Sequence, residues 1–140
     1  MNNSLRELAE FTDFKFVLVS KEKDANVRIY MQHLDGMFGT LGVAYQPFGD
    51  FEDMGAVQVM TPPFIGDIII DLSENWNVND LHSVVFHELL HSVGYFHDEH
   101  PESIMNAFSN GITTMGPTDI AVGQMKYGKP INLNEGGLSV

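Results

Sequence analysis

The residues best suited to chemistry stand close together: His87-Glu88-Leu89-Leu90-His91-Ser92-Val93-Gly94-Tyr95-Phe96-His97. On a helix, side chains four apart lie one above the other on the same face. His87 and His91 can therefore offer two imidazole nitrogens to one zinc ion. Glu88 sits about 100° further round the helix. From there it can reach a zinc-bound water as general base without being a ligand. A third protein ligand leaves a tetrahedral ion with one open, reactive position. His97 supplies it, provided the helix ends after His91 and the chain turns back. Gly94 stands where that reversal is needed, and glycine takes up a positive φ without strain. A lone His–Glu–x–x–His match also occurs on ordinary helices; the following glycine and third histidine single out a metal site. His82 and His100 lie outside this spacing and read as surface histidines.

These residues need a scaffold. Asn79 or Asp80 can cap a helix that begins at Leu81, carries the motif and stops at Gly94. Before it, Asp67-Ile68-Ile69-Ile70-Asp71-Leu72 is too apolar for a one-sided strand and reads as a buried one. Leu5, Leu8 and Phe11, with Arg6, Glu7 and Glu10 between them, predict a short amphipathic helix. Phe14 to Ser20 and Ala25 to Gln32 read as two strands separated by the charged turn KEKD. Val27, Ile29 and Met31 alternate with Arg28, Tyr30 and Gln32, the pattern of a half-buried strand. A glycine-broken stretch (Gly36, Gly39, Gly42) leads to a further strand at Leu41 to Gln46. Residues 47–66 are rich in Pro and Gly, with AVQVM inside them as a candidate for a short extra strand. Thr118 and Asp119 can start a last helix, ended by Gly128.

Whole-chain properties narrow the function further. The 140 residues, 44% hydrophobic and 11% aromatic, make a globular chain that can bury a core as one domain, with no repeats or linkers. No run of about eighteen apolar residues exists, so no membrane-spanning helix is expected. The start, MNNSLRELAEF, lacks the basic and apolar regions of a secretory signal. There are no cysteines, which excludes disulfides, thiolate metal sites and a thiol nucleophile. With 19 acidic against 7 basic residues, the formal charge of −12 makes nucleic acid an unfavourable partner.

The long zinc motif, followed by Ser103-Ile104-Met105-Asn106, resembles the metzincin peptidases, in which a methionine turn floors the zinc site. The spacing from His97 to Met105, with Pro101 between, is similar to that of the matrixins, the matrix metalloproteinase family. Gly66 to Asp71, followed by Glu74 and Trp76, resembles the strand and acidic turn before the matrixin active-site helix. Thr118-Asp119-Ile120, leading to Gln124 and Tyr127-Gly128, resembles its final helix. Ala107 stands where astacins and serralysins carry a tyrosine. Asp98 is shared with reprolysins, which rely on disulfides that this chain cannot make.

The resemblance implies an α+β fold: a twisted mixed sheet of four or five strands backed by two helices, with a small C-terminal subdomain from about residue 97. It implies a zinc-dependent metalloendopeptidase that acts on a protein or peptide substrate and is monomeric and extracellular. The substrate would run extended along Leu41 to Pro47, contacting Val43 and Ala44. Val84 and Phe108 would line the main specificity pocket. Asp71 and Glu74 match an acidic turn that holds calcium in matrixins. Matrixins usually carry a second, structural zinc on three histidines and an aspartate. Here His33 and Asp35 match two of the ligands, while Tyr45 and Ile69 stand where two histidines are expected, so one zinc per chain is expected. Two other readings are a zinc-binding module without activity, which would not need Glu88, and a metallohydrolase of a non-peptide bond.

Overall fold

The structure is a computed structural model, described here for residues 2–46 and 66–131. Its elements are α1 (Asn2–Phe11), a single 3-10 turn (Glu22–Asp24), β1 (Ile29–Gln32), β2 (Gly42–Ala44), β3 (Ile68–Asp71), α2 (Val78–Ser92) and α3 (Pro117–Tyr127). The candidate strand AVQVM and the end of the Leu41–Pro47 edge lie outside the described residues.

The sheet is mixed, in the order β1-β3-β2. β1 runs parallel to β3 and β2 antiparallel to it, with Ile29 opposite Ile68 and Val43 opposite Ile69. All four β3 residues are buried, as a central strand covered on both faces requires. Ile68 and Ile70 join Ala44, Leu8, Phe86, Leu89, Leu90, Val93, Tyr95, Ile104 and Met105 in the main core. Burying each large apolar side chain there contributes about 1.5–3 kcal/mol. Ile69 turns to the other face and packs with Val43, Tyr45 and Leu34 in a second, small cluster.

Three expectations differ from what forms. Residues 14–19 belong to no strand or helix, and Val17 and Leu18 are exposed. An alternating sequence makes a strand only when a neighbour takes its backbone hydrogen bonds; here aromatic contacts hold the segment instead. Phe14 stacks on Phe16 at 5.0 Å and meets Tyr127 edge-on at 4.6 Å. The sheet has three strands among the described residues, where four or five were expected. Finally, α2 is capped by Asn77, which accepts from Asp80 N at 2.9 Å. Asp80 is the third helical residue, and its carboxylate accepts from the Asn77 side-chain amide. The expected caps, Asn79 and Asp80, are thus inside the first turn.

The other end of α2 follows the glycine logic. Gly94 has φ +94°, its N–H donates to His91 O at 2.9 Å, and Tyr95 N–H donates to Leu90 O at 3.0 Å. This pair of bonds is a Schellman motif, sealed by burial of Leu90 and Tyr95 in one cluster. Among the described residues no helix is long and apolar enough to cross a membrane.

Candidate metal centre

The reversal at Gly94 brings His97 back against the helix. His87, His91 and His97 each offer a ligand atom, all within 4.8 Å of one another. The ring centroids are 4.6 Å apart for His87–His91, 4.7 Å for His91–His97 and 5.3 Å for His87–His97. This is the one group of three or more metal-ligating side chains among the described residues.

Whether the rings suit a metal is decided by their other nitrogens. His87 Nδ1 lies 2.7 Å from Ile104 O, and His91 Nδ1 lies 2.7 Å from Tyr95 O. A carbonyl only accepts, so both rings carry their proton on Nδ1 and keep the Nε2 lone pair available. Burial pushes the His87 pKa down and takes that of His91 to about 3, which keeps both rings neutral, the ligating form. A histidine-only, charge-neutral donor set of this kind fits zinc.

Glu88 is buried beside the two helical histidines, and desolvation pushes its carboxyl up to about 8. Edge strand β2 crosses close above it. A Cβ built on Gly42 would stand 2.9 Å from Glu88 Cγ, so glycine is what lets strand and glutamate approach. A cleft of about 620 Å³ opens over this floor, between residues 39–44 on one side and 106–110 on the other. Val43, Ala44, Val84 and Phe108 all line it. Val43 and Ala44 nevertheless bury their side chains in the two apolar clusters. Phe108 is exposed and Val84 is buried.

Met105 is buried in the main core, and its carbonyl accepts from Asp98 N at 2.9 Å. The turn that carries it is held by Asp119, a residue quoted above only as part of the last helix. Its buried carboxylate accepts from Ile104 N at 3.0 Å, Gly116 N at 2.8 Å and the Ser103 hydroxyl. Asp119 therefore fixes the very residue whose carbonyl orients His87. Its place in the first turn of α3 signals a cap in the sequence, but nothing there signals this distant partner.

The remaining expected ligands do not converge. Asp71 is fully buried and receives Ser73 N at 2.7 Å, Leu34 N at 3.2 Å and Asp35 N at 3.4 Å. Burial opposes its ionisation, but these donors and the Ser73 hydroxyl outweigh it and hold the carboxyl at about 2. One oxygen of Glu74 is buried without a hydrogen-bond partner, and the two acids join no group of three ligands. His33 pairs with the Ser73 hydroxyl at 2.8 Å, and Asp35 accepts from Thr40 N at 2.9 and 3.0 Å. Tyr45 and Ile69 are buried in the small cluster, with Val43 rather than Tyr45 directly opposite Ile69. Among the described residues His33 and Asp35 join no group of three metal-ligating side chains.

The same affinities are visible by comparison with known proteins. Over 130 residues the chain is 28% identical to the probable matrix metalloproteinase 095L of Invertebrate iridescent virus 3, covering 81% of this chain and 32% of that protein. The chain thus spans about a third of that relative's length. A family model described as Matrixin matches residues 1–128, taking in the histidine triad, the methionine turn and all but the final residues of the described structure. That match extends over both walls of the cleft as well as its floor, and on it the chain belongs to the matrixin family.

Proposed function

We propose that this chain is a zinc-dependent metalloendopeptidase, with His87, His91 and His97 as the zinc ligands and Glu88 as the general base. The observation that carries the proposal is the convergence of three histidines, two of them fixed by backbone carbonyls, beside a buried glutamate in an open cleft. Zinc held by these three histidines would supply Lewis acidity towards a peptide carbonyl and towards water.

The protein's own groups do the rest. Glu88 accepts a proton from the attacking water and delivers it to the leaving amine nitrogen. Burial raises the affinity of this carboxylate for a proton, which strengthens it as the acceptor. The outer edge of β2 is unpaired among the described residues and borders the cleft. An extended peptide pairing with it would lie across the histidines, held by backbone bonds irrespective of its side chains. This explains how Val43 and Ala44 contribute although their side chains point into the protein. Val84 and Phe108 then offer an apolar wall to the residue after the scissile bond, where a bulky apolar side chain contributes about 1.5–3 kcal/mol.

The test is to incubate zinc-loaded protein with a diverse peptide library and read the cut sites by mass spectrometry. Cleavage with bulky apolar residues after the cut bond is the expected result. Cleavage with charged residues there would overturn the pocket assignment, and no cleavage of any peptide would overturn the activity.

A further inference from the structure

We propose that Gln46 is a positioning residue for the metal centre, holding from the substrate-side strand the carbonyl that orients His91. This rests on the zinc-site reading above. Gln46 Nε2 donates to Tyr95 O at 3.0 Å and lies 2.9 Å from His91 Nδ1. His91 Nδ1 is itself 2.7 Å from the same carbonyl oxygen. The close nitrogen pair is explained if both N–H groups converge on Tyr95 O, which has two lone pairs to receive them. Turning the amide over would set its oxygen 3.0 Å from Tyr95 O, two acceptors face to face.

Both ends of this bridge are anchored. On one side Tyr45, the preceding residue, is locked to the end of β3 by Tyr45 N to Asp67 O at 2.9 Å and Gly66 N to Tyr45 O at 2.7 Å. On the other, Tyr95 is buried, its N–H closes the end of α2 and its hydroxyl donates to Asp119 O at 3.2 Å. Gln46 also lines the cleft. The amide therefore ties the run of chain that continues β2 to the histidine on the cleft floor. Of the two helical ligands, His87 has its carbonyl partner held by Asp119 from α3, and His91 has its partner held by Gln46 from beyond β2.

The experiment measures zinc affinity by chelator competition, with folding of the metal-free proteins followed by circular dichroism. Removing partners that orient metal ligands costs ~10–100-fold in affinity, so one step further out a loss of ~3–10-fold is expected for Gln46→Ala and Gln46→Met. Methionine keeps the volume and removes the donor. Gln46→Glu also removes the donor and sets an acceptor against Tyr95 O, so it is expected to lose at least as much affinity as Gln46→Met. Native affinity in Gln46→Met would reduce Gln46 to a packing residue and overturn the inference, as would native affinity in Gln46→Glu, which cannot donate to the Tyr95 carbonyl. If Gln46→Ala fails to fold, the Met and Glu variants decide. A native chain that binds no zinc would overturn the metal-site reading itself, and this inference with it.

Discussion

Two parts of the molecule carry histidines and acids in matrixin-like positions, and only one assembles into a site. Around α2 three histidines converge, and the second nitrogens of two of them, His87 and His91, are held by carbonyls. Around residues 33–45 and 69–74 each polar group has turned to a local partner: His33 to Ser73, Asp35 to Thr40, Asp71 to three backbone N–H groups. The two apolar positions pack together with Val43. Both arrangements hold loops in place. The first gathers three ligand atoms within 4.8 Å of one another and so suits a metal. The second spends its acceptors on the backbone and fills the space between strands with hydrocarbon, which does the holding without one.

The contrast can be broken most severely at the base. Glu88→Ala is expected to lower peptidase turnover by about 10²–10⁴-fold while zinc content stays at the native level. Loss of zinc along with activity would make Glu88 a ligand or a folding residue. Next, His91→Ala should lose bound zinc on dialysis, whereas His33→Ala should keep the native ratio of one zinc per chain. Elemental analysis giving two zincs in the native chain, falling to one in His33→Ala, would show that the second region does hold metal.

Acid should expose the other region's way of working. Asp71 has a folded pKa depressed to about 2, against an unfolded value of about 3.9. Its contribution is complete above the unfolded value and is lost as pH falls through the folded one. The melting temperature should therefore fall between about pH 5 and pH 2 more steeply in the native chain than in Asp71→Asn. Equal slopes would mean that the backbone donors do not favour the charged form. The smallest effect is expected from calcium. Millimolar calcium added to chelator-treated protein should raise the melting temperature by a few degrees at most, as weak sites do, through the buried oxygen of Glu74. No shift at all would remove calcium from this turn.

The triad could be read from the sequence because its geometry is almost wholly local. Two ligands share one helix face, and the glycine that returns the third has no other good use at that point. α1 and the buried β3 were legible for a similar reason, since periodicity and length suffice. The segment Phe14–Ser20 has the alternation of a strand, but strand formation depends on a neighbour that no local pattern specifies. The cap of α2 lies two residues before the nearer of the two expected positions because Asp80 sits in the first turn, its backbone N–H and its carboxylate both bonded to the Asn77 side chain. The pairing of Val43 with Ile69 could not be read ahead of the structure, because shifting a strand by two residues preserves its faces and hydropathy does not fix the register. Asp119 and Gln46 were invisible as site residues because their partners, Ile104 and Tyr95, are distant in sequence.

The carbonyls that orient His87 and His91 belong to Ile104 and Tyr95, so the ligands and the acceptors that turn them all fall within residues 87–105. The sheet, by contrast, must bring Ile29 to Ile68, far apart along the chain, before its first parallel bond can form. Zinc can consequently find much of its site in a chain that has α2 and the turn after it but no sheet. An ion with affinity for the unfolded chain stabilises the native state by less than its binding constant suggests. The gap in melting temperature between zinc-loaded and zinc-free protein should then understate the affinity, and refolding should be faster when zinc is present from the start than when it is added at the end.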